Sequence, residues 1–315
     1  MKKYCVGIDI GGTSVKFGMF DLEGILLEKW SIPTRTEESG RHILSDVGTS
    51  VNERLQALGI QKEQVAGVGV GVAGQVSEDG GVLFAENLGW KGVPLTRELS
   101  RLTGVPVFAE NDANIAALGE IWKGSAADYH SMIFVTIGTG VGGGIIVKNR
   151  ILSGANGAAG EIGHIHVEDE AERPCNCGNY GCLEQFASAT GLRRMGKKAV
   201  EETTEPSLLR DCEISARSIF ESVKKKDAVA MKVADQFGKY LGKALSACTC
   251  VINPEVVVIG GGVSKAGEIV LDYIRKYYRR YAYLPCRDTE FRLATLGSDA
   301  GIYGGAKLAL EESRA

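Results

Sequence analysis

The 315-residue sequence contains no apolar run long enough to cross a bilayer, and no cleavable leader pattern precedes its first β-like run. Its formal net charge is only −3, so bulk electrostatics give no reason to expect a nucleic-acid or membrane partner. Proline-rich and low-complexity linkers are also lacking. We therefore expect a cytoplasmic protein, without nucleic-acid or membrane partners, whose two domains are closely joined.

The eight cysteines are expected to be mostly thiols in that compartment. Cys175, Cys177 and Cys182 lie close together, and His164 precedes them. This spacing predicts a Cys₃His site for a structural zinc ion, with His166 as an alternative ligand. The remaining cysteines are expected to be small buried residues: Cys5, Cys212, Cys248, Cys250 and Cys286.

Glycine is abundant, with 42 residues that cluster at the ends of apolar runs. The apolar run 4–10, the turn 11–12 and the run 15–20 predict a β-hairpin, and the same order recurs at 131–137, 138–140 and 142–147. The repeat indicates a duplicated α/β chain with a cleft between its domains. We place these domains at 1–117 and 118–315, with the final helix, about 300–315, able to pack back on the first.

Three glycine turns carry residues that could hold a nucleotide. Their exposed amides can cradle phosphate oxygens, and a carboxylate at a strand end can meet Mg²⁺ through water. The third turn could let backbone pack against a purine ring. An ordinary tight turn is the alternative for each, and the occurrence of two hairpins weakens it. The candidates are Asp9, Gly11, Gly12, Thr13 and Lys16, then Gly138, Thr139 and Gly140, then Gly260, Gly261 and Gly262.

The segment 110–114 lies where a predicted strand gives way to a helix. Asp112 could act there as a general base towards a hydroxyl that attacks phosphorus, and Asn111 could bind a neighbouring hydroxyl. The alternative is a helix cap, because Asp and Asn are favoured at that position. Glu161 and His164 would face the same way if their segment forms a helical turn, and His164 could join zinc to a substrate hydroxyl.

The sequence resembles the ROK family of sugar kinases and repressors, within the actin-like ATPase superfamily. Residues 175–184 fit the family signature Cys-X-Cys-Gly-X-X-Gly-Cys-X-Glu, and the three glycine turns resemble its two phosphate loops and adenosine turn. The resemblance implies a duplicated actin-like (ribonuclease H-like) ATPase fold, Asp112 as catalytic base, and zinc on His164 and the three clustered cysteines. The sugar-binding residues that it implies are Gly74, Asn87, Asn111, Asp112, Glu161, His164 and Glu184.

From these motifs we expect an ATP- and Mg²⁺-dependent hexose kinase that forms glucose 6-phosphate and assembles as a homodimer. Other acceptors, namely N-acetylmannosamine, fructose, mannose and allose, are alternatives within the same class. A sugar-sensing regulator is a further alternative, although family repressors carry a DNA-binding helix-turn-helix before the first phosphate loop, where this sequence leaves no room. An actin-like chaperone or filament ATPase would leave the Cys/His signature unexplained.

Overall fold

The computed structural model describes residues 1–313, which form two compact units. Unit 1 comprises Met1–His130, Gly144–Ala159 and the segment from Leu296 onward, and unit 2 comprises Ser131–Gly143 and Gly160–Thr295. The expected division after residue 117 falls inside a continuous helix, and the units divide after residue 130 instead. The last two residues of the expected final helix, 314 and 315, lie outside the described residues.

The described chain contains both strands and helices, grouped in runs of each. The strands are β1 (Tyr4–Ile10), β2 (Ser14–Asp21), β3 (Leu26–Pro33), β4 (Val65–Val72), β5 (Gln75–Val76), β6 (Val82–Ala85), β7 (Trp90–Val93), β8 (Val107–Asn111), β9 (Met132–Ile137), β10 (Val141–Val147), β11 (Arg150–Ile151), β12 (Val256–Gly260) and β13 (Glu290–Leu293). The helices are α1 (Glu37–Gly40), α2 (Ile43–Ala57), α3 (Leu95–Thr103), α4 (Asp112–Lys123), α5 (Glu184–Ala187), α6 (Ala189–Glu201), α7 (Ala216–Lys224), α8 (Ala228–Ile252), α9 (Gly261–Ser264), α10 (Glu268–Tyr281) and α11 (Ala300–Glu312).

Two five-stranded sheets share one strand order. The first is β3–β2–β1–β4–β8, in which β2 is antiparallel to β1 and β3, and β4 is parallel to β1 and β8. The second is β11–β10–β9–β12–β13, in which β12 is parallel to β9 and β13. Both follow the order third, second, first, fourth, fifth along the chain, which confirms the predicted duplicated actin-like fold. A smaller sheet, β5–β6–β7, is inserted in unit 1.

Helix α11 packs on the first sheet of unit 1 through close backbone contacts that only glycine permits. A Cβ at Gly7 or Gly69 would collide with the main chain of α11, and one at Gly304 would collide with the Ile115 carbonyl of α4. Because β4 is buried at every position, its alternating Val and Gly residues provide both the apolar surface and the close approach. The packing fixes α4, whose first residue is Asp112, against the sheet.

Unit 2 has its own apolar core, in which β9 and β12 pack with α8 and α10. Although α8 has 25 residues, no helix in the described part of the chain is both long and apolar enough to cross a membrane. Cys250 lies on the outward side of α8 and is exposed, and Cys212 is also exposed, in the connection before α7. The expectation that these two cysteines are buried was therefore wrong.

Candidate active site

The first glycine turn joins β1 to β2 in unit 1. The Gly11 N–H donates to the Ser14 carbonyl at 3.2 Å, and the Thr34 hydroxyl donates to the Gly11 carbonyl at 2.6 Å. A Cβ at Gly12 would lie 3.5 Å from the Cβ of Asn87. The turn is thus closed and supported, and it brings a predicted sugar contact, Asn87, beside a predicted phosphate contact.

Asp9 and Lys16 face one another across the β1–β2 pair. Burial raises the pKa of the Asp9 carboxyl, and the Lys16 ammonium opposes that shift. A Cβ at Gly301 of α11 would lie 2.7 Å from Asp9 Cγ, so glycine makes room for the carboxylate. The Lys16 ammonium also donates to the Ser298 carbonyl at 3.1 Å, just before α11. The two charged residues predicted for the phosphate site are therefore held together at one end of the sheet.

Asn111, rather than Asp112, is the N-cap of α4. Its side-chain oxygen accepts from the backbone N–H groups of Ala113 at 2.8 Å and Asn114 at 3.3 Å, and its amide donates to the Gly74 carbonyl at 3.0 Å. Asp112 is the first helical residue, with one carboxylate oxygen 2.9 Å from the Ala113 nitrogen. The capping alternative therefore applies to Asn111, which also joins Asp112 to Gly74.

The second glycine turn follows β9 in unit 2 and is tied to Glu184. The Glu184 Oε2 accepts from the Val141 N–H at 3.0 Å, and a Cβ at Gly140 would collide with that same oxygen. The Ala189 N–H donates to the Gly138 carbonyl at 2.8 Å. Gly140 is thus required by the approach of Glu184, and a predicted sugar contact supports a predicted phosphate turn, with Thr139 between the two glycines.

Glu161 and His164 lie at the two ends of one helical turn. The 3₁₀ helix Ile162–His164 is closed by a bond from the His164 N–H to the Glu161 carbonyl at 3.1 Å. A Cβ at Gly163 would collide with the Val141 carbonyl. The turn therefore packs on the same residue that Glu184 holds, which brings three predicted sugar contacts of unit 2 to one end of β10.

The four predicted zinc ligands converge in unit 2. One ligand atom from each of His164, Cys175, Cys177 and Cys182 lies within 4.8 Å of the others. His164 Nδ1 is 3.7 Å from Cys175 Sγ, and Cys177 Sγ is 3.6 Å from Cys182 Sγ. Tetrahedral zinc with bonds of about 2.3 Å needs ligands roughly 3.8 Å apart. Both the donor set and its spacing fit a structural zinc ion.

His166, the alternative ligand, is engaged elsewhere. Its Nδ1 lies 3.0 Å from the Tyr180 carbonyl and its Nε2 lies 2.8 Å from Asp169 Oδ1. The hydrogen bond to Asp169, followed by that to Tyr180, raises the pKa of His166. It braces the loop before the cysteines, and His164 is the histidine of the ligand group.

The third glycine run spans the junction of β12 and α9, with Gly260 as the last strand residue and Gly261 as the first helix residue. Gly261 has a φ of +83°, and a Cβ there would lie 2.5 Å from the backbone nitrogen of Ile137, at the end of β9. A Cβ at Gly260 would lie 3.0 Å from the Phe134 ring, whereas one at Gly262 would meet nothing within 4 Å. Two of the three glycines are thus explained by packing within unit 2, and Gly262 presents an open backbone surface.

Two carboxylates with structural contacts were not predicted from the sequence, Glu110 in β8 and Glu120 in α4. Glu110 accepts the Ser153 hydroxyl at 2.8 Å, and Glu120 accepts the Leu296 N–H at 2.8 Å. The one sequence feature that pointed to either residue was the position of Glu110 next to Asn111. The hydrogen-bond partners named here, Ser153 and Leu296, lie far from the two carboxylates along the chain.

Comparison with known proteins gives a consistent result. The ROK family model matches residues 5–312. The glucokinase of Halalkalibacterium halodurans is 42% identical over 316 residues, which cover 98% of this chain and 96% of the relative. A ROK family glucokinase from Streptomyces griseus, solved with glucose and AMPPNP, is 35% identical with a TM-score of 0.78, covering 98% of this chain and 99% of its own. A ROK family transcriptional regulator is 28% identical with a TM-score of 0.86, and the match covers 98% of this chain and 78% of the regulator.

Proposed function

The chain belongs to the ROK family, and from this premise we propose that it is an ATP-dependent hexose kinase that transfers the γ-phosphoryl group to the 6-hydroxyl of glucose. The observation that carries this proposal is its full-length similarity to glucokinases, one of which was solved with glucose and an ATP analogue. The site geometry supports it, because each unit contains a glycine turn beside predicted sugar contacts.

Asp112 is assigned as the catalytic base. It removes the proton from the 6-hydroxyl as that oxygen bonds to the γ-phosphorus and the bond to the ADP oxygen breaks. Its place at the start of α4 supports this role, since the capping bonds of Asn111 fix the backbone beside it. Asn111 and Gly74 are assigned to the sugar, as are Asn87, Glu161, His164 and Glu184, with positioning as their main contribution.

The glycine turns are assigned to ATP. Amides of the two hairpin turns would hold phosphate oxygens, and the open backbone at Gly262 would face the adenosine. Bound Mg²⁺ would neutralise phosphate charge, and Asp9 would meet its hydration shell. The Lys16 ammonium would add a positive charge beside the phosphates.

Zinc would be structural in this protein. The ligand atoms of His164, Cys175, Cys177 and Cys182 are spaced for one ion, which would fix the loop that leads to Glu184. Because His164 directs Nδ1 towards Cys175, its other ring nitrogen would be the one to meet a sugar hydroxyl. The ion thus orients ligands without taking part in the transfer.

The test is a coupled assay of ADP release with glucose, N-acetylmannosamine, fructose, mannose and allose. Wild-type protein should turn over glucose with the highest kcat/KM. Asp112→Asn should lose phosphorylation by about 10³-fold or more while still binding glucose in calorimetry, because only the proton acceptor is removed. The exposed Asp128→Asn serves as a matched control and should keep wild-type turnover.

Each other outcome has a distinct meaning. Near-normal turnover by Asp112→Asn would remove Asp112 from the role of base. A higher kcat/KM with another hexose would replace glucose as the acceptor. Similarity to the transcriptional regulator makes sugar sensing a second candidate function, and wild-type binding of sugar without ADP release would favour it.

A further inference from the structure

The Glu110 carboxylate accepts three hydrogen bonds inside unit 1. Its Oε1 accepts from the Asn111 N–H at 2.8 Å and from the side-chain amide of Asn114 at 3.2 Å, and its Oε2 accepts from the Ser153 hydroxyl at 2.8 Å. Asn114 is only 1% exposed. One oxygen therefore fixes the start of α4, and the other holds a segment 43 residues away in sequence.

The segment that Glu110 holds is a closed loop, residues 153–159. The Ala159 N–H donates to the Ser153 carbonyl at 3.0 Å, and the Gln75 side-chain amide donates to the Asn156 carbonyl at 2.9 Å. Gly157 approaches Val76 so closely that a Cβ there would lie 2.5 Å from the Val76 carbonyl oxygen. The loop is thus fixed on β5 and on Glu110, two residues before Glu161.

We propose that Glu110 is a positioning residue for phosphoryl transfer, which holds the Asn111–Asp112 pair and the loop 153–159 in a fixed relation. This inference rests on the proposed function. Glu110 acts through its neighbours and touches no substrate. The contact from the Ser153 hydroxyl is charge-assisted and specifies direction as well as distance. A displacement of about 1 Å can reduce a rate by up to about 10²-fold. Because Asn111 and Asp112 are assigned to the sugar, the link affects glucose more than ATP.

The direct test removes the Ser153 hydroxyl. Ser153→Ala should lower kcat/KM for glucose about tenfold, the effect of losing one charge-assisted hydrogen bond, and should change the KM for ATP less than about twofold. Ser153→Thr keeps a hydroxyl and should restore kcat/KM to within about twofold of wild type. Ser125→Ala is the matched control, because it removes a hydroxyl bonded at 3.2 Å to another carboxylate of unit 1, and it should leave the kinetics unchanged.

A double variant tests whether Ser153 acts through Glu110. Glu110→Ala removes every acceptor of the side chain and should lower kcat/KM for glucose at least as much as Ser153→Ala, and the double variant should be no worse than Glu110→Ala by more than about twofold. Fully multiplicative losses would overturn the proposal. An equal rise in the KM for ATP, failure of Ser153→Thr to restore activity, or Ser153→Ala kinetics like those of Ser125→Ala would also overturn it.

Failure of the proposed function gives a different result. Wild-type protein would then release no ADP with any hexose in the panel. Calorimetry would still compare glucose binding by wild type, Ser153→Ala and Ser125→Ala without turnover. A tenfold weaker affinity confined to Ser153→Ala would support the positioning role of Glu110, and equal affinities would overturn it.

Discussion

Replacement of Glu120 by glutamine should release one of two chain segments that its carboxylate joins. Glu120 lies on α4 with 0% relative exposure. Its Oε2 accepts from the Ser125 N–H at 2.9 Å and the Ser125 hydroxyl at 3.2 Å, and its Oε1 accepts from the Leu296 N–H at 2.8 Å. Ser125 lies just before the chain leaves unit 1, and Leu296 is where it returns. One carboxylate of unit 1 thus holds the chain near two of the four points where it passes between the units.

The magnitude follows from the number of acceptors. Glutamine has the same shape but only one side-chain oxygen, so in either orientation its NH₂ group faces one of the two backbone N–H groups. A hydrogen bond to a charged group contributes about 1.5–3 kcal/mol. The neutral amide costs less to bury than a carboxylate, which offsets part of that loss. We expect the free energy of opening at this position to fall by about 2 kcal/mol.

Amide hydrogen exchange at Ser125 and Leu296 measures this effect directly. A loss of about 2 kcal/mol corresponds to roughly 30-fold faster exchange of at least one of the two amides. Ser125→Ala is the control, because it removes the hydroxyl bond and keeps both N–H groups on the carboxylate. Ser125→Ala should lower the free energy of opening by about 1 kcal/mol or less. Gly124→Ala should act like Glu120→Gln, since a Cβ there would collide with Oε2.

Unchanged exchange of both amides in Glu120→Gln would refute this prediction, because it would show that the carboxylate does not protect either N–H group from exchange. Equal losses in Glu120→Gln and Ser125→Ala would assign the effect to the hydroxyl instead of the two N–H groups.

Two further predictions concern unit 2. Asp227 caps α8 and accepts from the Ala230 and Leu208 amides and the Ser207 hydroxyl; burial alone would raise its pKa, but these bonds lower it. Asp227→Asn should therefore lower the free energy of unfolding in urea by about 1–2 kcal/mol at pH 7. This difference between the variant and the wild type should shrink as the pH falls below about 4. A difference independent of pH would contradict the prediction. Metal analysis should find about one zinc per chain. Cys177→Ser should lose the metal and raise the KM for glucose. Fully active zinc-free protein would contradict the structural role of the metal.

The strands beside the glycine turns were predictable from the sequence. The predicted run 4–10 matches β1 at both ends, and the predicted run 131–137 differs from β9 by one residue at its start. These elements have local causes, because a buried strand needs a continuous apolar run and glycine marks where it turns. The repeat of strand, glycine turn and strand was likewise sufficient to predict the duplicated fold.

Contacts between distant segments were not predictable in this way. The bond from Leu296 to Glu120 joins residues 176 positions apart, and no local pattern distinguishes Glu120 from a solvated helix carboxylate. The choice between His164 and His166 depended on where each ring points, which spacing does not specify. The short strands β5–β7 have too few residues to show a period, and they expose large side chains such as Phe84.

The packing of α11 on β1, β4 and α4 also has a consequence for biosynthesis. Residues 1–130 leave the ribosome first, but the helix that covers their sheet, Ala300–Glu312, is made after all of unit 2. The buried residues of the apolar core of unit 2 lie between 133 and 291, so this core can close earlier. Until α11 is made, the glycine-lined surface of β1 and β4 lacks the helix that covers it. The order of completion is therefore the reverse of the order of synthesis, and the nascent first sheet is the part of the chain most exposed to aggregation and proteolysis.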